Sequence, residues 1–283
     1  MNRLIVNADD FGLHTLVNEG IIKGHQQGII TSTSLMASGL AFEEAVKMAQ
    51  TFPKLGIGIH VTLVGSVPPV SESSEVPSLL DENGLFPESH TAFMKRVYTG
   101  KVNFNEVYSE LDKQFSKIID TGLTITHVDG HQHMHVLPQI LEIVFALMKK
   151  YKLQKMRLPS EDISFLNGVY NPIRIVGKMG LSTVANKGRK RINDELITTP
   201  RYFWGMMNGG HLTEDRLLPI LKEVAARAGA HEIMTHPGLD TSLLRRVFPW
   251  GYNWEEEMTA MCSSTVYEYI RANNIKLINY GEL

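Results

Sequence analysis

Short runs of β-branched residues alternate along the chain with stretches whose apolar residues recur at helical spacing. The β-branched runs predict strands, at 3–7, 31–37, 55–63, 124–128, 154–158, 232–235 and 275–280. The stretches of helical spacing predict helices, at 16–27, 42–52, 103–118, 137–148, 213–224 and 254–273, with a helix that becomes irregular at 170–195. Strand and helix therefore alternate about seven times.

This alternation predicts an α/β fold with about seven parallel strands. The turn after the first strand favours a barrel over an open sheet. It reads Asn-Ala-Asp-Asp-Phe-Gly at 7–12, which is acidic and lacks the glycines that cradle a phosphate in dinucleotide-binding folds. We therefore predict a distorted (β/α) barrel.

No linker interrupts the pattern, so residues 1–283 are predicted to form a single catalytic barrel domain. A length of 283 residues suits one barrel, a fold of roughly 250 residues. Between about 64 and 90 the regular pattern lapses into a stretch rich in Pro, Ser and Glu, which predicts a loop insertion.

Composition and charge narrow the range of partners. The chain is 43% hydrophobic and 20% charged, with a formal net charge of −2, so it lacks the broad basic face expected of a nucleic-acid-binding protein. No apolar stretch approaches the ~18 residues of a membrane span, and no signal-peptide pattern is found. We therefore expect a cytoplasmic protein without a membrane segment. The single cysteine, Cys262, excludes an intrachain disulfide.

Charged and imidazole side chains fall at the ends of five predicted strands, where a parallel barrel brings them to one face. Taken singly, each has a structural interpretation: Asp9 and Asp10 could cap a helix, and His60 could be a core histidine. Four histidines lie within 127–135, and two of them, His133 and His135, could form a solvated cluster. The candidates at the five strand ends are Asp9 with Asp10, His60, His131, Arg157 and His236.

These residue types suit a metal-dependent hydrolase. One carboxylate and two imidazoles, from Asp10, His60 and His131, would leave coordination positions open, as in catalytic metal sites. The second carboxylate, Asp9, could accept a proton from water, and His236 could protonate a leaving group. Two imidazoles favour zinc or another transition metal.

Five motifs in order along the chain resemble those of the YdjC-like (ChbG) carbohydrate deacetylases. The Asn-Ala-Asp-Asp-Phe-Gly motif at 7–12 and the His-x-Asp-x-His-x-His-x-His motif at 127–135 are the most specific of them. The others are Gly-Ile-Ile-Thr-Ser-Thr-Ser at 28–34, Gly-Ile-Gly-Ile-His at 56–60 and Thr-His-Pro-Gly at 235–238.

The resemblance implies a distorted barrel, a divalent metal that is generally magnesium, and removal of acetyl groups from N-acetylated sugars such as chitooligosaccharides. By position, His60 and His131 match the family's metal-binding histidines, Asp10 its metal-side aspartate and Asp9 its proposed base. His236 is similar in place to the catalytic acid of the wider polysaccharide deacetylase group. That group usually supplies both histidines from one His-x-x-x-His motif, which is missing around His60.

The expected substrate is therefore a small molecule or an oligosaccharide. Asp9 and His236 would serve as base and acid, and Arg157 would orient Asp9 or the substrate. The resemblance and the apolar late helix also favour a homodimer. Aromatic residues near the late strands are candidates for stacking on sugar rings, although core packing is the commoner use; they are Tyr202, Trp204, Phe248, Trp250, Tyr252 and Trp254.

Two alternatives stand beside this interpretation. The first is a metal-dependent barrel hydrolase of another class, an amidohydrolase or a phosphoesterase; an amidohydrolase normally carries a His-x-His pair on its first strand, where this chain has Asp9 and Asp10. The second is a sugar-binding or metal-storage protein without turnover. Neither Asp9 nor His236 would be required for storage.

Overall fold

A curled parallel sheet forms the centre of the structure, a computed structural model that describes residues 2–283. The sheet order is β4-β3-β2-β1-β6-β5, and β7 pairs with the start of β1; every pairing is parallel. Together with the surrounding helices, this confirms the predicted α/β class and distorted barrel. Within the described residues the strands are β1 (Arg3–Phe11), β2 (Ser32–Leu35), β3 (Gly56–Val61), β4 (Ile125–Gly130), β5 (Tyr202–Trp204), β6 (Ala230–Thr235) and β7 (Lys276–Leu277).

The helices pack around this sheet, and several begin at a polar side chain that accepts a backbone N–H of the first turn. The imidazole of His14 and the hydroxyls of Ser89 and Ser263 act in this way. The α-helices between residues 2 and 283 are α1 (Thr15–Gln27), α2 (Phe42–Thr51), α3 (His90–Tyr98), α4 (Phe104–Ile119), α5 (Pro138–Lys150), α6 (Pro172–Asp194), α7 (Glu214–Ala226), α8 (Thr241–Val247), α9 (Trp254–Met261) and α10 (Ser264–Ala272).

Strand β1 is buried on both faces and sends alternate side chains to opposite sides. Val6 and Ala8 join the main apolar core, whereas Ile5 packs in a separate small cluster with the C-terminal segment. Asn7 and Asp9 have the same parity as Ile5, so the strand period places them on the barrel's interior side.

The predicted strand at 154–158 contributes to closure of the barrel, although it is too short for a regular strand. The Val128 N–H donates to Lys155 O, and the Arg157 N–H donates to Val128 O. On its other side, the Met156 N–H donates to Thr198 O. This extended segment therefore links β4 to the chain that leads into β5, and it delivers Arg157 to the interior.

Two helical predictions differ from the structure. The prediction that the helix becomes irregular within 170–195 is wrong. Helix α6 continues to its last turns, where Gly188 lies against Leu141 and Ile192 is buried. The single helix expected at 254–273 is two helices. Ser263 interrupts it, because its hydroxyl caps α10 by accepting the Val266 N–H.

The irregular stretch predicted at 64–90 is anchored from one side by α4. The Glu110 carboxylate accepts the N–H groups of Val70 and Ser71, and that of Glu106 accepts the Ser78 N–H. Helix α3 follows this stretch and was not predicted, because Phe93 is its only buried residue within the described range and its apolar periodicity is weak.

Among residues 2–283, no helix combines the length and apolar character needed to cross a lipid bilayer.

A close approach between a helix and a loop generates a prediction about stability. A Cβ on Gly20 of α1 would lie 2.4 Å from the Gly238 Cα, so we expect Gly20→Ala to lower the free energy of unfolding by about 1–3 kcal/mol through overpacking. Urea unfolding measures this change.

The matched control is Gly177→Ala in α6, where an added Cβ meets nothing within 4 Å. There the helix propensity of alanine should raise the stability by about 0.5–1 kcal/mol. A Gly20→Ala protein as stable as the wild type would contradict the proposed close contact.

Candidate active site

Three potential metal ligands meet at the carboxyl ends of β1, β3 and β4. Asp10 comes from the end of β1, His60 from β3, and His131 directly follows β4. The Nδ1 of His131 lies 2.9 Å from Asp10 Oδ1, and the Nε2 of His60 lies 3.3 Å from the same oxygen. All three side chains are at most 2% exposed. The structure thus brings together the carboxylate and two imidazoles that the sequence analysis selected.

Unusual backbone conformations accompany this convergence. Asp10 has a φ of 69°, and Gln132 and His133 have φ values of 48° and 60°. Left-handed conformations at residues other than glycine cost energy and concentrate at functional sites. Here one such residue offers a carboxylate to the cluster, and the other two lie in the turn that directly follows His131.

Unpaired atoms in this cluster fit a cation. Among the described residues, Asp10 Oδ2, His60 Nε2 and His131 Nε2 are buried and have no hydrogen-bond partner. Buried polar atoms are normally paired. One carboxylate oxygen and two ring nitrogens form a donor set that a divalent transition metal accepts. Asp10, His60 and His131 could therefore hold a metal ion.

Asp129 of β4 orients His60. The Nδ1 of His60 lies 2.8 Å from Asp129 Oδ1, which directs the Nε2 atom towards Asp10. Carboxylates commonly fix metal-binding imidazoles in this way. Burial alone lowers the pKa of His60, but the nearby carboxylates of Asp129 and Asp10 outweigh it and raise that pKa to about 10. A cation at Nε2 would therefore have to displace a proton.

Arg157 is a fully buried cation among three carboxylates. Its two terminal nitrogens each lie 2.6 Å from an oxygen of Asp9. Nη1 also lies 3.0 Å from Asp129 Oδ2, and Nε lies 2.8 Å from Glu232 Oε1. Burial raises the pKa of Glu232 to about 7, although Arg157 and the Tyr280 hydroxyl counteract that shift. Arg157 is thus placed to orient Asp9, and its guanidinium is fully shielded from solvent.

His236 follows β6 and rests against the buried carboxylate of Glu257. That carboxylate accepts the His236 backbone N–H, and its Oε2 lies 3.8 Å from the His236 Nδ1. Burial lowers the pKa of His236, but the nearby carboxylate of Glu257 outweighs this effect and raises that pKa. The imidazole is therefore biased towards its protonated form.

The other histidines of 127–135 have neutral, buried rings. Burial lowers the pKa of His127 to about 3, that of His135 to about 4, and that of His133 well below its usual value. His127 stacks on Tyr280 with ring centres 3.8 Å apart, and His135 Nε2 lies 3.1 Å from Arg157 O. The interpretation of His133 and His135 as a solvated cluster is therefore wrong, because both rings are buried.

A cavity of about 460 Å³ adjoins the cluster and is lined by Asp9, His131 and His236. Four of the six aromatic candidates fall into two groups, one beside the site and one in the core. Trp250 lies 4.9 Å from the His131 ring and Tyr252 4.7 Å from the His236 ring, measured between ring centres. Trp204 and Trp254 are at most 1% exposed and belong to the core.

The sequence analysis assigned no role to three carboxylates of this centre, Asp129, Glu232 and Glu257. Asp129 lies within the histidine-rich motif and could have been found there as a partner of a metal-binding imidazole. Glu232 and Glu257 carried no signal, because a single acidic residue within a strand or a helix pattern is ordinary.

Comparisons with known proteins agree on one family. The sequence model described as "YdjC-like protein" matches residues 3–272. A carbohydrate deacetylase of Brevibacillus brevis is 32% identical over 99% of each chain, and one of Vibrio cholerae is 28% identical over 99% of this chain and 96% of its own. A crystal structure from Enterococcus faecalis, described as a putative cellobiose-phosphate cleavage protein, has a TM-score of 0.79 at 28% identity and covers 100% of this chain and 99% of its own.

The buried charge arrangement generates a prediction. Arg157→Met would leave three carboxylates without their cation, so we expect a loss of about 3–5 kcal/mol in the free energy of unfolding at pH 7. Burial would then hold the carboxylate pKa values above those of the unfolded chain, so the loss should shrink as pH falls and these groups become protonated. Urea unfolding at pH 7 and pH 5 measures both effects.

Arg191→Met is the matched control. Arg191 pairs with Glu142 at 2.6 Å, but both side chains are about half exposed, so its loss should cost at most about 1 kcal/mol. Equal losses in the two variants would contradict the role given to Arg157.

Proposed function

Because the chain belongs to the YdjC-like protein family, we propose that it is a metal-dependent carbohydrate deacetylase. The reaction is hydrolysis of the N-acetyl group of an acetylated sugar of the chitooligosaccharide type, which gives acetate and a free amine. The main observation that supports this proposal is the set of unpaired buried atoms on Asp10, His60 and His131. They lie beside a cavity that also borders Asp9 and His236.

Asp10, His60 and His131 would hold the metal ion. When bound, a divalent cation would supply Lewis acidity for the acetamide carbonyl and lower the pKa of water. The two imidazoles favour zinc or another transition metal, whereas the family resemblance implies magnesium. Elemental analysis of protein purified without chelators or tags would distinguish them.

Asp9 is the proposed base. Arg157 and the amide of Asn7 hold its carboxylate in one orientation, through hydrogen bonds of 2.6 and 2.9 Å. Oδ1 accepts from both Arg157 and Asn7, whereas Oδ2 accepts from Arg157 alone and keeps a further lone pair, which would accept the proton of the attacking water. Charge-assisted bonds of this kind fix the carboxylate without occupying all of its acceptor sites.

His236 is the proposed acid. As the bond between the acetyl carbon and nitrogen breaks, the imidazolium would donate its proton to the departing nitrogen, so that the sugar leaves as a neutral amine. Glu257 supports this role, because its carboxylate stabilises the protonated ring. The hydroxyl oxygen of water ends on the acetyl carbon and gives acetate.

Homodimer formation, a cytoplasmic location and a single catalytic domain over residues 1–283 stay predictions. Light scattering, cell fractionation and limited proteolysis would test them in turn.

Acetate release from N,N′-diacetylchitobiose tests the proposed function. We expect a chelator to abolish release and added metal to restore it. Asp10→Asn and His131→Ala should each lower kcat/KM by at least about a hundredfold, because each removes a ligand.

Asp194→Asn, at an exposed position on α6, is the matched control and should keep full activity. Full activity after thorough metal removal would contradict metal dependence. Turnover of a phosphate ester without acetate release would favour a phosphoesterase, and sugar binding without turnover would favour a binding protein.

The pH profile tests the acid. If protonated His236 is required, activity falls as pH rises through its pKa, and Glu257 raises that pKa. Glu257→Gln should therefore move the falling limb of kcat/KM to lower pH. Glu256→Gln, exposed on the same helix, should leave the profile in place. An unshifted limb in Glu257→Gln would contradict the assignment of His236.

A further inference from the structure

The segment that joins α8 to α9 brings two aromatic rings to the candidate active site. Trp250 lies 4.9 Å from the His131 ring and Tyr252 lies 4.7 Å from the His236 ring, measured between ring centres. His131 is a proposed metal ligand, and His236 is the proposed acid. A group that reacts between these two histidines would therefore lie beside this segment.

The ring of Tyr252 is held in one position by its neighbours. A Cβ added to Gly210 would lie 2.3 Å from Tyr252 Cδ1, so the ring packs directly against that backbone. The Asn253 N–H donates to Gly210 O at 2.7 Å, and the Arg245 Nε donates to Tyr252 O at 2.9 Å. The ring centre of Trp254 is 5.4 Å away. The orientation of the Tyr252 hydroxyl is thus set before a substrate binds.

The Tyr252 hydroxyl is free to bind a ligand. No hydrogen bond between residues 2 and 283 involves it, and it is not one of the unpaired polar atoms that the protein buries completely. The hydroxyl oxygen is therefore accessible from the cavity, which Tyr252 lines together with Asp9 and His236. A tyrosine hydroxyl in a protein interior usually finds a partner, so this one is available to an acceptor atom of a ligand.

The surroundings of Tyr252 keep its proton in place. Burial raises the pKa of the hydroxyl, and the nearby carboxylates of Asp10, Glu257 and Asp9 raise it further, whereas Arg174 opposes them with a smaller effect. Near neutral pH the side chain is therefore a neutral phenol that donates a hydrogen bond. It does not act as a base there.

The proposed reaction builds negative charge in the same cavity. As the attacking water adds to the acetyl carbon and gives its proton to Asp9, an electron pair of the carbon–oxygen double bond moves onto the acetyl oxygen. A hydrogen bond to that oxygen strengthens as the charge develops, so a donor fixed in advance lowers the barrier. An amide oxygen has two lone pairs, so it can accept this hydrogen bond and contact a cation at the same time.

We propose that the Tyr252 hydroxyl donates a hydrogen bond to the acetyl oxygen of the substrate as that oxygen becomes an anion. The proton stays on Tyr252 throughout. When the tetrahedral species collapses, the carbon–oxygen double bond forms again, the carbon–nitrogen bond breaks, and the nitrogen takes the proton of His236. This inference rests on the proposed deacetylation and adds a catalytic residue to it.

Tyr252→Phe tests the proposal, because it removes the hydroxyl and keeps the packing of the ring. Loss of one such donor costs roughly a hundredfold or more in kcat. We therefore expect kcat for acetate release from N,N′-diacetylchitobiose to fall by about a hundredfold, with KM within about twofold of the wild type. Tyr267→Phe, on α10 and 53% exposed in the wild type, is the matched control and should keep both constants.

Binding of a transition-state mimic gives a readout without turnover. The methylphosphonamidate of glucosamine places a tetrahedral phosphorus and an anionic oxygen where the acetyl carbon and its oxygen would lie. Calorimetric titration should show that Tyr252→Phe binds this mimic about a hundredfold more weakly than the wild type, because the hydrogen bond is made to the charged oxygen. Its affinity for glucosamine, which has no acetyl group, should stay the same.

Three results would overturn the proposal while leaving deacetylation intact. The first is equal affinity of the two proteins for the phosphonamidate. The second is a rise in KM without a fall in kcat, which would place the hydroxyl on a part of the substrate that does not react. The third is loss of a limb of the pH profile in Tyr252→Phe, which would show that the tyrosine transfers a proton. If the wild-type protein releases no acetate, the proposed function itself fails, and this inference fails with it.

Discussion

The buried guanidinium of Arg157 is the interaction on which the rest of the centre depends. It contacts carboxylates from β1, β4 and β6, namely Asp9, Asp129 and Glu232. An isolated charge in this interior would be costly, and so would three unpaired carboxylates. Arg157 and the three carboxylates neutralise one another in a single cluster. This cluster joins three strands at the depth where the substrate is expected to bind.

The proposed base and one proposed metal ligand both depend on this cluster. On one side, Asp129 contacts the Nδ1 of His60 and orients the ring, so that Nε2 points at Asp10. On the other side the carboxylate of Asp9 is held in one plane towards the cavity. Glu232 connects the cluster to the Tyr280 hydroxyl and so to the C-terminal segment. The ionic network therefore sets the orientation of the proposed base and of one proposed metal ligand together.

The proposed acid is supported separately. His236 depends on Glu257, a buried carboxylate of α9 that also accepts the Leu212 N–H and the Thr235 hydroxyl. Base and acid thus have different immediate partners, an arginine for Asp9 and a glutamate for His236, although the charge of Asp9 also raises the pKa of His236. Such a division lets neighbouring groups hold opposite protonation states.

From the sequence alone, the order of strands and helices could be predicted, and so could Asp9, Asp10, His60, His131 and His236 as candidates. Hydrophobic periodicity is local, and parallel strands must bring their carboxyl ends to one face. The partners of those residues were decided by tertiary structure. The sequence left open whether Arg157 orients Asp9 or the substrate, and only the folded chain pairs it with Asp9, 148 positions away, and with Glu232, 75 positions away. No local pattern encodes pairing over such separations. Helix α3 was likewise beyond prediction, because a single buried phenylalanine leaves no periodic pattern in the sequence.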